Sequence, residues 1–254
     1  SQGWVKRVRE LKDPAGTRLR DGDSVMAAVA GSTRASLAFF SNLGVCYVCR
    51  VHDVPPSTGY GDPVQKLFKL ADGERMIAMT SLDPRALDAP PPTEGAAEPE
   101  PPYGVAVTRG GLGFRFSYRP HREPSTRAGR KYARLNDGDE VMTVLPIGDD
   151  DAIVCAAADG HVLGVKVAEI GVLSGAGKGA MVIKLDEGER LVGAALALAA
   201  RDTVTLETEK GKTMDVTLQS VLGSRADKGP QLVKRDRFAR LVPPPVVAPT
   251  LEVT

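Results

Sequence analysis

The chain has 254 residues, 26% of them charged, and a formal net charge of +1. No apolar stretch reaches the ~18 residues of a bilayer-spanning helix, no signal peptide is visible at Ser1, and the near-neutral balance announces no polyanionic partner. A nucleic-acid role must therefore rest on where charges sit.

A phrase of the form Leu-x-[Asp/Glu]-Gly-[Asp/Glu]-x-apolar recurs at Leu19–Val25, Leu70–Met76, Leu135–Val141 and Leu185–Leu191, spaced 51, 65 and 50 residues apart. A period near 50 is that of small units stacked on one another. The first copy, over about 1–30, begins at its second strand, so Ser1 is expected to cut into a unit; Gly3 marks its hairpin. The second spans 31–82 with its hairpin glycine at Gly44. Residues 83–102 hold seven prolines and five acids against Arg85 alone, a composition that buries no core and reads as a flexible insertion. The third copy spans 103–148, with Gly113 as hairpin glycine.

The fourth copy, 149–199, is the clearest. Ile153 to Ala158 is a buried strand, Asp159-Gly160 a hairpin, and Val162 to Val167 a second strand. Residues 171–179 read as a loop, 181–185 as a third strand and 191–198 as a fourth. The fifth, 200–242, turns at Gly211, and its acidic phrase has decayed to Lys234-Arg235-Asp236. A Pro-rich tail, 243–254, carries a candidate edge strand at Leu251-Glu252-Val253. The expectation is one all-β domain, a propeller-like array of about five four-stranded blades with the first incomplete.

Basic residues crowd the second strand of each repeat and the loop after it. Residues 105–134 hold Arg109, Arg115, Arg119, Arg122, Arg127, Arg130, Lys131 and Arg134 against one acid, Glu123. Lys6, Arg7, Lys166, Lys178, Lys212, Arg225 and Lys228 occupy similar places. From these, Lys6, Arg7, Arg115, Arg119, Arg122, Arg127, Arg130, Lys131, Lys166, Lys178, Lys212, Arg225 and Lys228 are the candidate DNA contacts. Register alone predicts basic loops on one part of the array and acidic turns on another. Cations replace condensed counterions on a phosphate backbone. Aromatics are only 5%, which disfavours stacking on single strands. Double-stranded DNA held by its phosphates fits better than base readout.

Other chemistry finds no support. Cys46 and Cys49, three apart on a strand, face opposite ways, and no second pair completes a zinc site. With Cys155 they read as small core residues in a reducing compartment. Ser174 to Gly179 lacks the glycine and hydroxyl of a Walker loop, and the three histidines have no partnered nucleophile. Asp149-Asp150-Asp151 reads as a solvated turn. No catalytic residue, metal or cofactor is assigned.

The repeats resemble the C-terminal domain of the A subunit of bacterial type IIA DNA topoisomerases, the family of DNA gyrase and topoisomerase IV. The likeness rests on Gln2-Gly3-Trp4-Val5-Lys6-Arg7, Asn42-Leu43-Gly44-Val45, Ser174–Gly179 running into Met181–Leu185, and the acidic turns. It implies a β-pinwheel whose blades exchange strands, and a non-catalytic part that bends DNA around a basic rim in a cytoplasmic, nucleoid-associated enzyme. It also implies a breakage-reunion domain in the same polypeptide with the catalytic tyrosine and magnesium, and a B subunit that binds ATP. The gyrase box Gln-Arg-Arg-Gly-Gly-Lys-Gly is absent; Lys12-Asp13-Pro14-Ala15-Gly16-Thr17-Arg18 stands there. With the five-blade count this favours topoisomerase IV. The alternatives are a gyrase domain with a degenerate box and a blade-based protein-interaction platform.

Overall fold

The structure, a computed structural model, describes residues 1–91, 93, 95 and 99–251. Within the insertion, residues 92, 94 and 96–98 lie outside that description, as do Glu252 and Val253 of the expected edge strand; residues 243–251 form no strand.

Repeat one supplies β1 (Trp4–Val5). Repeat two supplies β2 (Ser36–Ser41), β3 (Val45–Arg50), β4 (Asp62–Pro63) and β5 (Met76–Ser81). Repeat three supplies β6 (Tyr103–Thr108), β7 (Leu112–Ser117), β8 (Arg130–Lys131) and β9 (Val141–Ile147). Repeat four supplies β10 (Ala152–Ala157), β11 (Val162–Lys166), β12 (Val172–Leu173), β13 (Ala180–Met181) and β14 (Leu191–Ala197). Repeat five supplies β15 (Thr203–Thr208), β16 (Thr213–Thr217) and β17 (Phe238–Val242), with one helical turn, α1 (Leu218–Val221). The all-β expectation holds.

The chain divides into two compact units. One is Ser1–Pro102 with Tyr118–Ala133 and Pro245–Thr254; the other is Tyr103–Ser117 with Arg134–Pro244. The first holds the sheet β5-β2-β3-β8 and the pair β1-β4. The second holds β12-β7-β6-β9, with β13 also on β7, and the three-stranded sheets β11-β10-β14 and β16-β15-β17.

Each full blade is three antiparallel strands of one repeat, and the remaining pairing is borrowed. A second strand left at a sheet edge presents unpaired amides and carbonyls, and the next repeat covers them. Thus β4 lies on β1, β8 on β3 and β13 on β7. In repeat five Val162 N donates to Pro230 O at 3.1 Å, and Leu232 N to Gly160 O at 2.8 Å. This corrects the reading of repeat four. The expected third strand is the two residues of β13, donated to repeat three. The expected loop contains β12, which runs parallel to β7 with Val172 opposite Arg115.

A glycine at positive φ opens each donated segment, because the incoming backbone passes against the recipient's carbonyls. A Cβ on Gly179 (φ +75°) would lie 2.3 Å from Gly113 O, and one on Gly229 (φ +74°) 2.2 Å from Val162 O. Gly61 and Gly129 hold the same place before β4 and β8. The hairpin glycines Gly44, Gly160 and Gly211 donate to residues three back, Ser41, Ala157 and Thr208. In repeat three Gly111, bonded to Thr108 O at 3.0 Å, does this. Gly113, expected there, sits inside β7.

In the second unit β10 is buried on both faces, which explains its unalternating run. Ile153, Cys155 and Ala157 pack with Val105 and Val107 of repeat three, while Ala152, Val154 and Ala156 pack with Val204 and Leu206 of repeat five. In the first unit Phe39 and Tyr47 pack on Phe68. Phe40 meets Tyr118, Tyr132 and His121 edge-on. A groove of about 1070 Å³ runs between Val5, Val25, Val29 and Phe39, with tail residues Ala248–Leu251 along it. All three cysteines are free and buried; burial pushes the Cys49 and Cys155 thiols up to about 12.

Two outcomes follow. Gly179 and Gly188 share a φ near +75°, but nothing lies within 4 Å of a Cβ on Gly188. Gly188→Ala costs about 1 kcal/mol of left-handed strain; Gly179→Ala adds a backbone clash and costs roughly 2 kcal/mol more. Denaturant midpoints showing equal losses would contradict the exchange packing. Burial first, then the Arg130 charge, push the buried His121 down to about 4. Its folded pKa lies below its unfolded one, so its stabilising contribution is complete above about pH 6.5 and is lost as pH falls toward 4. His121→Gln should flatten that part of a Tm-versus-pH curve.

Candidate nucleic-acid interface

The acidic phrase is a repeated tight turn. Asp23 N, Glu74 N, Asp139 N and Glu189 N donate to Arg20, Ala71, Asn136 and Asp186 carbonyls at 3.0 to 3.1 Å, with the intervening glycines at φ +73° to +77°. Its two acids differ in role. The second is engaged: Asp139 Oδ1 accepts from Gly110 N (2.9 Å), Glu74 from the Tyr47 hydroxyl (3.0 Å), Glu189 Oε2 from Arg237 Nη2 (2.7 Å) and Asp23 Oδ1 from Gln2 N (2.9 Å). The first acids, Asp21, Asp72, Asp137 and Glu187, are exposed and, among the described residues, hold no hydrogen bond or ion pair.

The candidate cations fall into three kinds. Lys131, Lys166 and Lys212 are exposed with no side-chain partner among the described residues. A second group is held by neutral acceptors and so keeps its charge. Lys6 Nζ donates to Arg18 O and Gly59 O, with burial and then Arg18 lowering its pKa. Arg7 Nε donates to Val54 O, Arg115 Nε to Ile170 O and Arg225 Nη1 to Met181 O. Arg127 Nη2 donates to Gln65 O and Lys66 O, and Arg130 to the carbonyls of Pro120, Glu123 and Pro124. Lys178 Nζ donates to Asn136 Oδ1 at 2.7 Å. Half-buried Arg122 has Nε and Nη2 buried without an acceptor among the described residues. The third kind faces a carboxylate: Arg119 lies 3.5 Å from Glu100, and Lys228 2.5 Å from Asp186.

The structure also brings forward a set of cations of which a search for basic clusters finds only Arg134. The residue before the turn phrase is basic in every repeat: Arg18, Lys69, Arg134, Lys184 and, by alignment on the donated-segment glycine, Lys234. Lys and Arg make up 33 of 254 residues, so five out of five is not a matter of composition. All five are exposed, and their side chains hold no hydrogen bond or ion pair among the described residues. In three repeats this residue's backbone amide bonds to the next repeat's basic loop. Lys69 N donates to Arg127 O at 2.7 Å, Arg134 N to Gly177 O at 2.9 Å and Lys184 N to Asp227 O at 2.9 Å. Each seam therefore joins two cations from successive repeats: Lys69 with Arg127, Arg134 with Lys178, Lys184 with Lys228. The first lies in one compact unit and the other two in the second.

Residues 35–83, 123–147 and 152–197 match the family described as DNA gyrase C-terminal domain, beta-propeller. These matches, together with its fold, make the chain similar to the C-terminal domains of type IIA topoisomerase A subunits. Over 193 residues, 76% of this chain, it is 26% identical to the gyrase A subunit of Aminobacterium colombiense. It is 29% identical to the Streptococcus pneumoniae gyrase A subunit over 167 residues, 61% of its length. It spans about a fifth of those relatives, 22% and 19%. Its fold resembles a crystal structure of the C-terminal domain of DNA topoisomerase IV, with a TM-score of 0.79, 19% identity, and coverage of 95% of this chain and 74% of that one. It also resembles the E. coli ParC C-terminal domain, with a TM-score of 0.72, 21% identity, and coverage of 95% and 94%.

The unequal roles of the two turn acids are open to measurement. Asp139→Ala leaves the Gly110 amide without its acceptor and should cost about 1 kcal/mol, with faster hydrogen exchange at Gly110. Asp137→Ala should change stability by less than about 0.5 kcal/mol. Equal effects would contradict the division.

Proposed function

We propose that this chain is the DNA-binding and DNA-bending domain of a bacterial, cytoplasmic and nucleoid-associated type IIA topoisomerase, holding duplex DNA by its phosphates for strand passage. The observation that carries this reading is the recurring cation pair at the repeat seams. At two of the three seams the loop cation is held by a carbonyl or an amide and is positioned without being neutralised, while Lys228 at the third faces Asp186; un-neutralised cations release counterions from a phosphate backbone. No ring of bases needs to be read for this, and phosphate contacts alone set orientation rather than sequence. Smooth bending of a short duplex costs on the order of 1–6 kcal/mol, which calls for many contacts.

On this reading the domain performs no bond chemistry. Tyr47, Tyr118 and Tyr132 are buried, and burial raises the pKa of each hydroxyl, the opposite of what an attacking phenolate needs. Strand cleavage with magnesium belongs to the breakage-reunion domain of the same polypeptide, and ATP to the B subunit. The first-repeat loop, a single turn at Pro14–Gly16 capped by Asp13, lacks a gyrase box and favours topoisomerase IV. The gyrase alternative draws on relatives that carry the gyrase name.

Duplex binding across about 50 to 200 mM salt tests the proposal. Arg134→Glu with Lys178→Glu should flatten the log–log salt slope by roughly 2, at ~0.9 per phosphate contact. Asp186→Asn, which releases Lys228 from its carboxylate, should steepen it by up to ~0.9. A wild-type slope near zero would sink the wrapping role.

A further inference from the structure

The fifth repeat departs from the other four at the turn, and it does so by deletion. Leu191 N bonds to Arg109 O at 2.9 Å, just past the first strand of repeat three, and Phe238 N bonds to Ala158 O at 3.0 Å, at the equivalent place in repeat four. The two strand starts are therefore in register. Six residues separate Lys184 from Leu191, but only three separate Lys234 from Phe238. The missing ones are the acids and glycine of the turn. What stands there is Arg235-Asp236-Arg237.

The shortened turn leaves an open cleft of about 500 Å³, whose cations are Lys210, Lys234, Arg235 and Arg237. Its three carboxylates are engaged within the protein. Asp159 Oδ2 lies 2.9 Å from His161 Nδ1, Glu209 3.9 Å from Arg237 Nε, and Asp236 Oδ1 accepts from Arg237 N at 2.8 Å. Arg237 is further committed to Glu189 at 2.7 Å. Lys210 Nζ is positioned on the Arg235 carbonyl at 2.9 Å, which leaves its charge intact. Lys234 and Arg235 are exposed and hold no side-chain partner among the described residues. Three cations thus face the cleft: Lys234, whose place is basic in every repeat, Lys210 of the hairpin, and Arg235, which stands where the preceding repeats carry turn acids. No aromatic or apolar side chain lines it, so it offers a base or a lipid chain nothing to pack on.

We propose that this cleft is a second phosphate-binding site, on the turn side of the fifth repeat, and that its occupant is the backbone of a DNA duplex. The assignment rests on the DNA-binding reading above and extends it to a face that is acidic in the other repeats. A duplex held at the seams gains contacts off that track at this repeat, and its path is steered toward the turn side there.

The test uses the whole 254-residue chain with Lys234→Glu/Arg235→Glu and the milder Lys234→Gln/Arg235→Gln, both checked for native circular dichroism. Duplex binding in either variant should lose roughly 1.8 from the salt slope, two contacts at ~0.9 each, and the protected length of DNA should shorten at one end. Inorganic phosphate alone should give no saturable shift of the Lys234 and Arg235 side-chain resonances. A wild-type chain that binds duplex, with variants that keep both slope and protected length, overturns the cleft while leaving the seam reading intact. Saturable binding of inorganic phosphate makes it a small-anion pocket and also overturns the assignment. A wild-type chain that binds no duplex overturns both readings.

Discussion

The pairing of each repeat's second strand with a segment of the following repeat is the constraint on which the rest depends. Three strands of one repeat leave an amide-rich edge, and an exposed edge is a liability. The chain meets it by lending two or three residues back to the preceding repeat, as at Ala180–Met181 on Leu112 and Gly113. The approach is so close that only glycine stands at the entry, since a Cβ on Gly61, Gly129, Gly179 or Gly229 would lie 2.2 to 2.9 Å from a recipient carbonyl oxygen. Because the lent segment is continuous with the basic loop, the same pairing that closes the edge fixes where that loop's cations emerge.

Charge follows from this geometry rather than from composition. A net charge of +1 conceals three populations: cations neutralised by carboxylates, cations held by neutral acceptors, and cations with no partner among the described residues. Exposed ion pairs contribute on the order of 0–1 kcal/mol, so Lys228–Asp186 is better understood as a local cancellation of charge than as a stabilising feature. Arg127 and Arg130 are held on carbonyls, which do not cancel their charge. The acids divide similarly. Asp139 closes a hairpin amide, whereas Asp137 is solvated, although the sequence writes both as the same motif.

Much of the fold is legible in the residues, for identifiable reasons. The turn phrase returns often enough to expose the period, and a glycine with positive φ is nearly obligatory in it. Residues 181–185 read as one strand, wrongly, because Val182 and Ile183 are apolar for a different reason: both are buried in the cluster formed with repeats three and four. Gly113 passes for the hairpin because Gly110, Gly111 and Gly113 crowd together, and only hydrogen bonding to Thr108 distinguishes them. Lys69, Lys184 and Lys234 escape notice although their signal is present, since each is a single cation that recurs once per repeat.

The sequence by itself determined the repeat, the all-β class, the turn chemistry and the kinship with topoisomerase C-terminal domains. Those rest on local backbone preferences and apolar patterning, which act over a few residues and are written in order along the chain. Only the tertiary structure decided which repeat a short strand joins, which acids are engaged and which cations keep their charge. Those depend on which partners the fold brings up, 21 residues away for Asp23 and Gln2 and 42 for Lys178 and Asn136, and no local pattern encodes which distant carbonyl or carboxylate a side chain will meet.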